Sequence, residues 1–250
     1  MKANNLLNTQ RSIVDKPAPL FSCDSISRRF GSVAVLSSVG FSIQPGEILG
    51  IIGPNGAGKT TLMECLAGLL PWDSGAMQWQ GKPLPPSQAK RVLFYLPDGI
   101  LPYPEDRVAP VLQFFQRVQG ASERERARLV DRLQLAPVMK KRVDTLSKGY
   151  RRRLLLAIGL LSRQPLLLLD EPFDGFDLRQ TLAVMALLRE TLEGRALLLS
   201  IHQLSEAEKI CDRFLLLNNG AVAACGSLDE LRQQAGIDGG GLEEVFLALV

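Results

Sequence analysis

The residues with the clearest chemical purpose form the run Gly53-Pro54-Asn55-Gly56-Ala57-Gly58-Lys59-Thr60, which fits the pattern of a glycine, four residues, and then Gly-Lys-Ser/Thr. Glycines let consecutive backbone N–H groups turn toward phosphate oxygens, and a helix starting at the end of such a loop adds its positive N-terminal field. In that cradle Asn55, Gly56, Ala57, Gly58 and Thr61 surround the phosphates. Lys59 neutralises β- and γ-phosphate charge, and the Thr60 hydroxyl is a ligand for Mg²⁺. A second candidate is the pair Asp170-Glu171, which follows the fully apolar run Leu166 to Leu169. Carboxylates at the C-terminal end of a buried strand stand where α/β proteins bind ligands, although such a pair also suits a solvated turn. In the first case Asp170 holds the Mg²⁺ shell and Glu171 polarises an attacking water. One phosphate loop alone leaves the whole class of nucleotide-hydrolysing and phosphate-transferring folds open.

These residues need a strand, a loop and a helix to aim them. Upstream of the loop, FSCDSI, VAVLSSV, FSI and EILGII read as strands separated by turn signals; downstream, Leu62, Met63, Leu66 and Leu69 recur at helical spacing. A strand-like AMQWQ and an apolar RVLFYL follow, the latter stopping at Pro97. Three helical stretches then occupy Pro110 to Gln119, Ser122 to Leu135 and Ser147 to Ser162, which reads as a helical insertion. The α/β pattern resumes with the strand before Asp170, a helix over Leu178 to Leu192, the strand ALLLSI, a short helix near Leu204 to Lys209 and the strand FLLL. Asn218-Asn219-Gly220 supplies a hairpin turn, because Asn and Gly tolerate positive φ. Strands alternating with helices predict a mostly parallel sheet covered on both faces. A final apolar helix is expected over Leu242 to Val250.

With 250 residues and 46% hydrophobic content, the chain can bury a large core. A formal net charge of +3 is too small to predict nucleic-acid binding, and no nucleic acid is expected as a partner. Cys23, Cys65, Cys211 and Cys225 are scattered without metal-ligand spacing and read as reduced, mostly buried thiols. Residues 1–19 read as a polar tail without the apolar stretch of a secretory signal. The longest apolar run, Leu154 to Leu161, is far short of the ~18 residues that cross a bilayer, so a membrane role is expected to be peripheral. The basic clusters Lys140-Lys141-Arg142 and Arg151-Arg152-Arg153 read as solvated helical faces.

Leu146-Ser147-Lys148-Gly149-Tyr150, upstream of the Asp-Glu pair, decides among the phosphate-loop classes. Together with the phosphate loop it resembles the signature of the ATP-binding-cassette (ABC) ATPases, over about Leu20 to Leu231. The resemblance implies an α/β fold: a phosphate-loop core with a mostly parallel sheet, an N-terminal antiparallel β subdomain and an inserted helical subdomain. The expected division is an ATPase domain at 20–235 (core 20–98 and 166–225, helical part 99–165), with a C-terminal helix at 236–250. ATP and Mg²⁺ are the implied cofactors. Ser147, Lys148 and Gly149 are implied to grip the γ-phosphate of ATP held by an opposite subunit, which is a second copy or a related ATPase. His202, the only histidine in the sequence, matches the switch histidine that orients Glu171 and water. Asp177 matches an interface aspartate, and Phe30 the aromatic that stacks on adenine.

Two departures stand out. Lys148 replaces an inner glycine and Tyr150 a glutamine, and Asp98 occupies the place of a glutamine that touches Mg²⁺; Asp98 could ligate the ion instead or cap the following loop. The implied partner is an integral membrane subunit at the cytoplasmic face of the inner membrane, and the C-terminal stretch resembles bacterial exporter ATPases. The other reading is a soluble cassette ATPase acting on nucleic acid, ribosomes or an assembly scaffold.

Overall fold

The computed structural model describes residues 18–250, so the expected tail lies almost wholly outside the described residues. In chain order the first elements are β1 (Phe21–Phe30), β2 (Val33–Ile43), β3 (Ile48–Ile52), α1 (Lys59–Leu66), β4 (Ser74–Trp79), β5 (Lys82–Pro83) and β6 (Leu93–Leu96). Three helices follow, α2 (Val108–Val118), α3 (Glu123–Arg132) and α4 (Lys148–Leu161). The remainder is β7 (Leu166–Asp170), α5 (Leu178–Glu190), β8 (Ala196–Ser200), α6 (Leu204–Ile210), β9 (Arg213–Asn218), β10 (Ala221–Gly226), α7 (Leu228–Ala235) and α8 (Leu242–Leu249).

Two sheets result. An antiparallel sheet has the order β2-β1-β4-β5, and a second has the order β10-β9-β3-β8-β7-β6, parallel throughout except for β10. The expected α/β class with an antiparallel β unit and a mostly parallel sheet is what the chain adopts. Every residue of β3, β7 and β8 is buried, the mark of strands covered on both faces. Their side chains divide by the two-residue strand period. Leu49, Ile51, Leu166, Leu168 and Leu198 join α1 and the antiparallel sheet in one core, whereas Ile48, Ile52, Leu167, Leu169, Leu197 and Leu199 join the helices on the other side. Because β3, β7 and β8 are parallel neighbours, the loops after Ile52, Asp170 and Ser200 emerge at one sheet edge.

Three elements differ from the sequence reading. VAVLSSV and FSI are one strand: Ser25 and Ser38 both adopt φ 55° and the β1–β2 register shifts, so the pair is bulged rather than broken. Helix α3 ends at Arg132 because Gln134 turns to φ 51°. Helix α7 was not anticipated, although Ser227 and Glu230 cap it reciprocally, a pattern visible in the sequence. The hairpin expected at Asn218-Asn219-Gly220 joins β9 to β10, with φ 47° at Asn219 and 78° at Gly220.

Candidate functional site

The loop after β3 is shaped by glycines that admit no side chain. A Cβ on Gly53 would lie 2.3 Å from the Leu217 carbonyl oxygen, and Gly58 takes φ 100° as it leads into α1. Lys59 is buried, and its Nζ donates to the carbonyls of Gly53 at 2.7 Å and Pro54 at 3.1 Å. Burial lowers its pKa, while the Glu171 and Asp170 carboxylates act in the opposite direction. This ammonium is therefore held over the loop by neutral acceptors that an anion can outcompete. Asn55, Gly56, Gly58, Lys59, Thr60 and Thr61 line one cleft with Glu171 and His202, and Ala57 lies buried behind it.

Asp170 ends β7 and is buried. Its Oδ2 accepts from Thr60 Oγ1 at 3.1 Å and from the Tyr95 hydroxyl at 3.4 Å, and its Oδ1 accepts from Ser200 Oγ. Burial, then the Asp170 charge, pushes the Tyr95 phenol above its ordinary pKa, so it remains a donor. The Thr60 hydroxyl and Asp170 carboxylate thus converge as oxygen donors, the set a hard divalent cation such as Mg²⁺ prefers.

Glu171 adopts φ 48°, which turns the chain sharply out of β7. Its N–H donates to Ser200 Oγ at 3.0 Å, and its Oε1 lies 2.5 Å from His202 Nε2. A carboxylate can only accept, so Nε2 carries the hydrogen in this contact. A strained backbone at a residue whose N–H is held by a serine and whose carboxylate meets a histidine belongs to a working site more than to a passive turn.

The other residues singled out in the sequence lie outside this cleft. Ser147 caps α4, its hydroxyl accepting from the Tyr150 N–H at 3.4 Å, and Lys148 Nζ meets Asp174 Oδ2 at 2.6 Å. Gly149 passes close to Gly175, whose carbonyl would lie 3.2 Å from an added Cβ. Asp177 caps α5, accepting from the Gln180 N–H at 2.9 Å. Phe30 is 46% exposed, with the Arg28 guanidinium 4.6 Å from its ring centre. Asp98 is grouped with Glu171 and Asp174, their oxygens within 4.8 Å of one another, rather than with Thr60 and Asp170, and its carboxylate pairs with Arg152.

Residues 36–174, more than half the chain, match the protein family described as ABC transporter. The chain belongs to the ABC transporter family. EcsA, an ABC-type transporter ATP-binding protein of Bacillus subtilis, is 33% identical over 86% of this chain and 90% of its own length. The Nod factor export ATP-binding protein I of Ralstonia nicotianae is 34% identical over 85% of this chain and 68% of its own. A solved ATP-binding subunit of an ABC transporter superposes with a TM-score of 0.84 at 32% identity, over 92% of this chain and 99% of that one. This ABC protein is accordingly an ATP-binding subunit, and its family hydrolyses ATP.

Three residues of the ABC site escaped the sequence reading. Ser200 links the Asp170 carboxylate to the Glu171 backbone N–H, Tyr95 is a further donor to Asp170, and Arg152 donates to the Asp170 carbonyl at 3.2 Å as well as to Asp98. Ser200 had a usable signal, since it stands two residues before His202 at a strand end. Arg152 and Arg153 also correct an expectation. Only Arg151 of that cluster is solvated; Arg152 and Arg153 are buried. Arg152 sits between two oxygen acceptors, and Arg153 donates to Gln134 at 3.2 Å and packs over the Tyr150 ring at 5.2 Å. Partnered guanidinium groups can be buried, which composition alone does not reveal.

Proposed function

We propose that this ABC ATPase hydrolyses ATP as one half of a two-subunit sandwich and drives export through a separate membrane protein. The observation that carries this reading is the separation of two anion-binding elements. The cleft of Asn55 to Thr61, Glu171 and His202 contains neither Ser147 nor Gly149, although Ser147 opens a 14-residue helix whose N-terminal N–H groups favour an anion. A second cassette related by a two-fold axis brings its Ser147 helix to the open side of the cleft and completes it.

In that sandwich the loop amides and Lys59 bind the β- and γ-phosphates of ATP, and Phe30 is the stacking surface for adenine. Thr60 and Asp170 would hold Mg²⁺, which supplies charge neutralisation at the phosphates when bound. Glu171 takes the proton from a water as its oxygen attacks the γ-phosphorus, and the bond from that phosphorus to the bridging oxygen breaks to release ADP. His202 Nε2–H orients the Glu171 carboxylate for this transfer, while Ser200 fixes the peptide on which Glu171 stands. Asp177 lies beside the subunit boundary.

The export direction is supported by the name of the Nod factor export relative. Among the described residues no helix is long and apolar enough to cross a membrane. An exposed aromatic cluster offers a docking surface for the membrane subunit at the cytoplasmic face: Tyr103 and Phe114 stack edge-on at 5.4 Å and are 49% and 45% exposed. The test is Glu171→Gln, which keeps the shape and removes the base. The variant is expected to bind ATP, to fail to hydrolyse it and to elute as a dimer only with ATP. A monomer that retains full turnover refutes both the role of Glu171 and the sandwich.

A further inference from the structure

Asp98 and Arg152 each lack a role when considered singly. Asp98 places a negative charge near Glu171 and Asp174, where another carboxylate is repulsive. Arg152 places a guanidinium inside the protein, with its side chain only 4% exposed. Together they neutralise one another: one terminal nitrogen of Arg152 donates to Asp98 Oδ1 and the other donates to the Asp170 carbonyl oxygen at 3.2 Å. Only a planar guanidinium can hold two acceptors on separate chain segments at fixed angles; a lysine ammonium has no such fork.

The geometry connects three segments. Arg152 belongs to α4, the helix that Ser147 opens, and Asp98 lies just past β6. The Asp170 carbonyl belongs to the peptide that joins Asp170 to Glu171, the bond at which the chain turns to φ 48°. One helical turn before Arg152, Lys148 meets Asp174 at 2.6 Å, and the Asp174 N–H donates to the Glu171 carbonyl at 3.2 Å. The same face of α4 therefore touches the loop on both sides of Glu171.

We infer that Arg152, paired with Asp98, is a positioning residue that ties the Ser147 helix to the peptide carrying Glu171, so that the helix and the general base move as one body. This inference rests on the role of Glu171 proposed above. It also accounts for the departure at position 98: a glutamine there would leave the Arg152 charge buried without an anion, so the aspartate answers the arginine rather than the metal. A shift of Glu171 on the order of 1 Å is enough to slow a positioned reaction ~100-fold.

The experiment is a double-variant cycle on the full chain with Asp98→Asn, Arg152→Gln and both together. ATPase rate, KM for ATP, the Mg²⁺ concentration giving half-maximal rate, and melting temperature are measured for each. Each single variant is expected to lower kcat ~10- to 100-fold with KM and the Mg²⁺ requirement within about twofold of wild type, and the double variant to be no slower than the worse single one. Asp98→Glu, which keeps the charge, is expected to recover most of the rate. If Arg152→Gln does not fold, the comparison of Asp98→Asn with Asp98→Glu decides alone. Unchanged kcat in Asp98→Asn, losses that multiply in the double variant, or a raised Mg²⁺ requirement as the main effect overturns the inference. A wild-type chain that is folded but does not hydrolyse ATP instead counts against the functional reading itself.

Discussion

Ser200→Ala tests the interior of the site with one atom. The hydroxyl is fully buried, donates to Asp170 Oδ1 and accepts the Glu171 N–H at 3.0 Å. The substitution removes a hydrogen bond to a carboxylate, worth about 1.5–3 kcal/mol, and strands a buried N–H, which costs about 1–3 kcal/mol. The methyl that remains fills most of the space, so little cavity energy is added. Asp170 keeps Thr60 and Tyr95 as donors, which puts the expected loss near the lower end of the sum, about 3 kcal/mol. For a chain of this size that lowers the melting temperature by roughly 6–12 °C. Guanidinium unfolding and thermal melting of the nucleotide-free protein measure both quantities. Turnover is expected to fall more than ATP affinity, since the freed peptide carries Glu171. A stability loss under about 1 kcal/mol, with normal turnover, refutes the reasoning that this hydroxyl holds the Asp170 carboxylate and the Glu171 peptide together.

Lys59→Ala is expected to weaken ATP binding about 10- to 100-fold, because the ammonium makes charge-assisted bonds to the phosphates; near-normal binding of a fluorescent ATP analogue contradicts its role. Burial pushes the thiol of Cys23 up to about 12 and that of Cys65 up to about 11, so neither supplies thiolate at pH 8. Both, together with buried Cys211, are expected to resist a thiol reagent until guanidinium is added, and full labelling of the native chain at the rate of free cysteine contradicts their burial. The same raised values mean that the folded state disfavours thiolate. Stability should therefore decline as pH rises above the ordinary thiol value of 9.0 toward about 11 and about 12, a trend that unfolding curves across that range detect.

The sequence by itself determined the parts of this protein whose physics is local. A phosphate loop needs its glycines, lysine and threonine within eight consecutive positions, so Gly53 to Thr60 could be read directly. The fully apolar runs before Asp170 and within ALLLSI read as buried strands and are covered on both faces, and Asn219-Gly220 reads as the hairpin turn that it forms. Local patterns misled where the backbone bent without breaking, as at Ser38 in β2. Only the tertiary structure decided which distant residues share an atom-to-atom contact. Thr60 and Asp170 lie 110 positions apart and Tyr95 and Asp170 lie 75 apart, yet all three converge because β3, β6, β7 and β8 are parallel and end together. The fate of Asp98 was equally beyond sequence reach. A carboxylate after a strand suits a metal, a solvated loop or a cation equally well, and only the fold shows that a guanidinium 54 residues away pairs with it. Burying that charge is tolerable only where two oxygen acceptors meet it, a condition set by how α4 packs against the sheet.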